Sequence, residues 1–235
     1  MQRGGWAMAS YKIAAILLAT GLCAGASAQA AGPVTPYPSI APVDQYRIAN
    51  RADEIAMART AAPASISGEA SVMVLGAKGY ETAVTGKNGF VCMVLRGWTA
   101  NFDDPVFWNP KIRGPVCYNP AAVRSVLPLV LERTEWVLAG VSKPEMERRA
   151  KTSAAANRLP EPVSFGYMMS KEQYVSDKAH AWHPHLMFYQ AHGKAADWGA
   201  DLPGSPVFSG EGEPVTMYFV PLAAWSDGSS AVDMH

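Results

Sequence analysis

The chain has 235 residues, room for one domain or two small ones at most. Twenty Lys and Arg balance twenty Asp and Glu, and 49% of the residues are hydrophobic. That excludes a disordered chain, which needs low hydrophobicity and high net charge, and removes the basic excess of a nucleic-acid binder.

The first thirty residues read as a secretory signal peptide. Arg3 and Lys12 supply the positive start and Ile13 to Ala19 the apolar centre. Ala26-Ser27-Ala28 and Ala28-Gln29-Ala30 are two small-x-small cleavage sites. The apolar run is too short for a permanent membrane helix, which needs about 20 residues. Cleavage removes two positive charges and leaves the mature chain slightly acidic. The expected product is exported, periplasmic or secreted, with no transmembrane segment once the leader is gone.

Export decides how the cysteines read. Cys23 leaves with the leader, so Cys92 and Cys117 are an even pair in an oxidising compartment and are expected to join. The bridge encloses 24 residues, worth about 3 kcal/mol in the chain-entropy picture. The alternatives are two buried thiols or a reactive nucleophile. A nucleophile needs a base and a lowered pKa, and neither neighbourhood signals them.

Residues 31–43 hold Pro33, Pro36, Pro38 and Pro42 and read as an extended arm. The rest, 44–235, is expected to be a single domain. A helix is predicted over 44–62, with Asp44 as N-cap, a stripe of Ile48, Ala52, Ile55 and Arg59, and a stop at Pro63. Three strands follow, over 71–75, 80–85 and 90–96. Asn88-Gly89 predicts a two-residue hairpin joining the last two. That register sets Thr85 opposite Cys92 and Glu81 opposite Arg96. It also gathers Tyr80, Thr82, Val84, Val91, Met93 and Leu95 on one core face.

Residues 97–118 contain three prolines, two glycines and the rings of Trp98, Phe102, Phe107 and Trp108. Such a loop is either packed down or functional. Asn119 and Pro120 then open a helix that reaches Ala139 and Gly140, kinked by Pro128 at Leu127. Ser142-Lys-Pro-Glu145 is a capping-box pattern for another helix to Ala156. Strands are predicted over 164–169, 185–189, 207–209 and 216–221. The sum is an α+β fold: a mainly antiparallel sheet against about three helices, with one disulfide.

Chemical templates are sparse. His-Glu-x-x-His, Gly-x-Ser-x-Gly and Gly-x-Gly-x-x-Gly are absent. Four of the five histidines, His180, His183, His185 and His192, fall within thirteen residues. Imidazole suits a divalent transition metal such as zinc. In an extended chain His183 and His185 share a side, with Asp197 or Asp201 near enough in sequence to add an oxygen ligand. The alternative is histidines at the entry of a core strand. Trp98, Trp108, Trp182, Trp198 and Trp225 fall in or beside loops with Asp103, Asp104, Asp197, Asp201 and Asp227 nearby, whereas Trp136 belongs to a helix core. These rings either cap the sheet ends or form a stacking platform for a ligand.

Asn88-Gly-Phe-Val-Cys92, Pro115-Val-Cys-Tyr118, Tyr167-Met-Met-Ser170 and Pro184-His-Leu-Met-Phe-Tyr189 resemble a family of exported, uncharacterised bacterial proteins. The resemblance implies export, a two-cysteine frame and a single domain, and carries no activity or cofactor with it.

Two functions follow from these readings. The first is a module that binds a small molecule or envelope component through loops 98–116 and 180–201, using Trp98, Asp103, Asp104, Trp108, Trp182 and Trp198. The second is a metal-dependent hydrolase ligated by His183 and His185, with a third ligand from His180, His192, Asp197 or Asp201.

Overall fold

In the computed structural model, which describes residues 36–156, 158–210 and 215–231, Asn50 rather than Asp44 caps the first helix. Its Oδ1 accepts from the Ala52 amide at 2.9 Å, and α1 runs over Arg51–Arg59. Asp44 lies in a separate 3-10 turn, Val43–Tyr46, and the chain is extended again at Arg47. The break between them leaves Tyr46 anchored in the core, its hydroxyl donating to the Trp108 carbonyl at 2.8 Å. The leader expected over 1–30 lies outside the described residues. The described part of the arm is docked rather than free: Tyr37 donates to Asp177, and the Ala41 amide donates to the Tyr46 hydroxyl at 3.2 Å.

After the short helix α2, Ala64–Ser67, the chain enters β1, Ser71–Gly76, and turns back into β2, Gly79–Val84. These two form the antiparallel hairpin, with Leu75 opposite Tyr80. The next strand, β3 (Val91–Leu95), pairs with β1 in parallel, Ser71 opposite Val91 and Val72 opposite Cys92. The hairpin predicted at Asn88-Gly89 is therefore not formed. Gly89 does take the left-handed backbone that the dipeptide favours, φ 77°. The Asn88 side chain, however, donates to the Ile66 carbonyl and accepts from the Phe90 amide, while the Lys87 amide donates to Glu69. The segment crosses the start of β1 so closely that a Cβ on Gly86 would lie 2.3 Å from the backbone of residues 69–71. Long-range pairing has overridden the turn signal. Glu81 turns to Arg51 instead of Arg96, and Thr82 is exposed.

Downstream the predicted elements are present. Following β4, Gly114–Tyr118, the Asn119 side chain accepts from the Ala122 amide and Pro120 opens α3, Pro120–Ser125. The helix breaks at Val126, one residue before the expected kink, because Pro128 fits only the first turn of a new helix, α4, Leu127–Leu138. Gly140 ends it with φ 71°. The helix α5, Lys143–Ala155, starts after Ser142 without the expected side-chain cap; Glu145 pairs with Arg148 and Arg149 instead. Then come β5, Ser164–Met168, β6, His185–Ala191, β7, Phe208–Gly210, and β8, Val215–Pro221.

The eight strands form one mixed sheet in the order β2-β1-β3-β4-β5-β6-β8-β7, antiparallel everywhere except between β1 and β3. Every described residue belongs to one compact unit, Thr35–His235. With five α-helices and one disulfide among the described residues the fold is α+β. Alternation along β3, β4 and β6 sends Met93, Leu95, Val116, Tyr118, Met187 and Tyr189 to the face covered by α3 and α4. The opposite face carries Val72, Cys92, Val94 and Cys117 against Ala58, Ala61 and Ala62 at and beyond the end of α1. Cys92 and Cys117 are directly opposite on β3 and β4, their Cα atoms 4.0 Å apart, and are joined.

The aromatic loop after β3 packs into a third cluster. Trp98, Phe107 and Trp108 are buried there with Tyr46, Leu75, Val137 and Met146. The Trp98 indole donates to Thr134 on α4 at 3.1 Å. Beneath the cluster lies a buried ion pair. Arg96 Nη2 meets Glu54 Oε1 at 2.7 Å, Nε donates to the Tyr46 carbonyl, and Glu54 also accepts from the Leu75 amide.

Candidate functional site

Of the four histidines only His185 lies in β6; His180 and His183 precede the strand and His192 follows it. His180 is exposed in a tight turn at φ 56°, its ring against the edge of Tyr174. His185 is buried, and its Nδ1–H donates to the His183 carbonyl at 2.7 Å, which turns the ring back on its own chain. Trp182 and Phe219 enclose it with ring centroids at 4.6 and 5.6 Å, and burial lowers its pKa to about 4. His192 lies past the far end of β6, roughly 20 Å along the strand from His185. The two carboxylates are occupied: Asp197 accepts from the Lys194 amide and Asp201 from Ser209. Among the described residues no three His, Cys, Asp or Glu side chains could hold an ion together. The predicted zinc site on His180, His183, His185 and His192 is thus corrected to a buried neutral histidine and three dispersed ones.

The tryptophan platform is also dispersed. Trp98 and Trp108 are core residues, and Trp225 is buried. Trp182 packs on Phe219 and Trp198 stacks on Tyr218 at 4.4 Å. Residues 218 and 219 are neighbours on β8, so these two rings sit on opposite faces of the sheet. Asp104 is spent on a turn, accepting from the Val106 amide at 2.9 Å. Of the six residues predicted to bind a ligand, Asp103 alone lines the cleft described next.

That cleft has a volume of about 510 Å³ and opens between α4, α5 and residues 99–103. Clefts that hold small ligands commonly measure 300–1,000 Å³. Val126 at the helix break and Leu129 and Val130 of α4 form one wall, and Met217, Val215 and the buried ring of Tyr189 close the floor from the sheet. Burial holds the Tyr189 phenol well above its ordinary pKa, so it stays neutral. Ala150, Ser153 and Ala154 of α5 give small side chains on the far wall. The indole of Trp136, expected to be core, lines the cleft half-buried, with Arg149 at 5.7 Å from its ring.

Charges ring this apolar centre in pairs. Glu132 meets Arg158 at 3.0 Å and Glu147 meets Lys151 at 2.9 Å. Lys151 holds the Glu147 carboxyl below the usual range. Arg133 differs. Its Nη1 donates to the Ala100 carbonyl at 2.9 Å, and its guanidinium lies 4.3 Å over the Phe102 ring. Burial lowers its pKa to about 10, so it remains a cation at neutral pH. No protein-family model, curated protein or solved structure matches the chain.

Sequence reasoning missed this site because its walls come from five separate segments. One signal was present. Leu129, Arg133 and Trp136 fall at i, i+4 and i+7 on α4, a stripe that a helix presents to one partner. An arginine between a leucine and a tryptophan on that stripe marks a face that is neither plain core nor plain surface.

Proposed function

We propose that the chain is an exported binding protein, periplasmic or secreted, that takes a small and largely apolar ligand in the cleft between α4, α5 and residues 99–103. The observation that carries this reading is the cleft itself: about 510 Å³, walled by Val126, Leu129, Val130 and Met217. The joined Cys92 and Cys117 suit an oxidising compartment, as do the leader pattern in residues 1–30 and the resemblance to exported proteins. No helix among the described residues is long and apolar enough to cross a membrane. Of the loop face expected from sequence, over 98–116 and 180–201, this reading keeps only residues 99–103 with Asp103, and it puts α4 and α5 in place of the rest.

An environment-sensitive apolar dye tests this reading. Anilinonaphthalene sulfonate is expected to gain fluorescence with the folded protein at about one site per chain. Leu129→Trp, which fills the cleft, is expected to abolish that gain while leaving the fold intact by circular dichroism. Dye binding unchanged by Leu129→Trp would place the apolar site elsewhere and overturn the assignment.

A further inference from the structure

Arg133 stands apart from the other charges of the cleft. Glu132 is matched by Arg158 and Glu147 by Lys151, and exposed Asp103 makes no ion pair with Arg133. Among the described residues no carboxylate meets the Arg133 guanidinium. Its Nη1 serves the Ala100 carbonyl, and the carbonyls of Trp98 and Thr99 are at the long limit of 3.4 and 3.5 Å. The N–H groups on Nε and Nη2 meet no acceptor there. Arg133 is half-buried, and a ligand that covers it further does so at a cost unless it brings an anion. The Phe102 ring covers one flat face of the guanidinium. Its edge is left, and that edge is the geometry that binds an oxyanion through two parallel N–H donors.

We propose that the ligand is an amphiphilic anion. Its oxyanion headgroup, a carboxylate or a phosphate monoester, docks on Nε and Nη2 of Arg133, and its apolar tail lies along Val126, Leu129, Val130 and Met217. This rests on the cleft reading and adds the chemical class of ligand. A neutral amphiphile leaves the guanidinium desolvated and without an anion, and a cationic one meets a like charge. The exposed Asp103 at the rim is far weaker opposition, because solvent screens it.

Titration of the oxidised protein with decanoate, decyl phosphate, decanol and decyltrimethylammonium, each below its micellar range, separates the possibilities. Binding is read by calorimetry. An anion is expected to bind roughly ten- to a hundredfold more tightly than decanol, the span that charge-assisted hydrogen bonds supply. Whichever anion binds better names the headgroup, and either result supports the proposal. Arg133→Gln is expected to bring both anions down to the affinity that the same variant shows for decanol. That variant also loses the bond to the Ala100 carbonyl, so the headgroup series on the unaltered protein is the decisive arm. Equal affinity for decanol and both anions would overturn the anion proposal and leave the cleft reading standing. No binding of any decyl compound, together with dye binding insensitive to Leu129→Trp, would remove both.

Discussion

The guanidinium of Arg96 has no exposed surface, and the chain surrounds it with Glu54 at 2.7 Å and two backbone carbonyls. Removing one partner of such a pair strands the other charge, at a cost of about 3–5 kcal/mol. Glu54→Leu is expected to lose about that much in urea unfolding, and Glu54→Leu with Arg96→Met to recover most of it. A double variant as unstable as the single one would show that the pair stabilises the fold beyond its own compensation. His185 carries a second residue-scale prediction. Burial holds its folded pKa near 4, below the ordinary 6.5. Between those values the unfolded chain takes up a proton that the native chain does not. Stability from this group is therefore complete above pH 6.5 and falls as the pH drops towards 4, by up to about 3 kcal/mol. His185→Gln is expected to flatten that part of the stability profile relative to the unaltered protein. Parallel profiles for the two proteins would contradict the assignment of a buried, neutral ring.

At the scale of elements, what was legible in the sequence was local and what was not was pairing. Asn119 and Pro120 start α3, Pro128 splits the helix within one residue of the expected place, and Gly140 ends it, each by chemistry confined to one turn. Asn88-Gly89 carried the strongest turn signal, and its glycine does take positive φ, yet β2 pairs with β1 rather than β3. The deciding contact is non-local: residues 86–88 lie on the 66–71 backbone, and only a glycine at 86 fits. In the predicted hairpin Gly89 would be the sensitive position. In the structure Gly86→Ala is expected to cost more than Gly89→Ala, because its Cβ would strike backbone at 2.3 Å while that of Gly89 meets a proline side chain at 3.2 Å. For Gly89→Ala the expectation is about 1–2 kcal/mol from positive φ; thermal unfolding of both variants gives the order, and the reverse order would favour the hairpin. The disulfide was legible through the export reading alone, since no local pattern pairs Cys92 with Cys117. It ties two neighbouring strands across the middle of the sheet. Replacing Cys92 and Cys117 by alanine is expected to lower stability by about 2–4 kcal/mol by denaturant titration.

At the scale of the whole molecule, the division between core and site is what the sequence concealed. The aromatic loop looked like a ligand face because Trp98, Phe107 and Trp108 are expensive to leave in water, and the fold settles that cost by burying them against α4. Burying those rings turns one side of α4 inward and leaves Leu129, Arg133 and Trp136 beside α5 and the sheet end, where the walls of the cleft meet. Segments near 100, 130, 150, 189 and 217 come together there, a meeting that no local pattern announces. The histidine-rich stretch looked like chemistry because its residue types suit a metal, but only His185 lies in β6, where it is buried, with His180 and His183 before the strand and His192 beyond its far end. The most direct measurement is an amide and indole chemical-shift map of the labelled, oxidised protein titrated with decanoate. Shifts gathered on Phe102, Leu129, Arg133, the Trp136 indole and Lys151 are expected. Shifts gathered instead around Trp198 and Tyr218, or spread evenly over the surface, would contradict a binding site between α4 and α5.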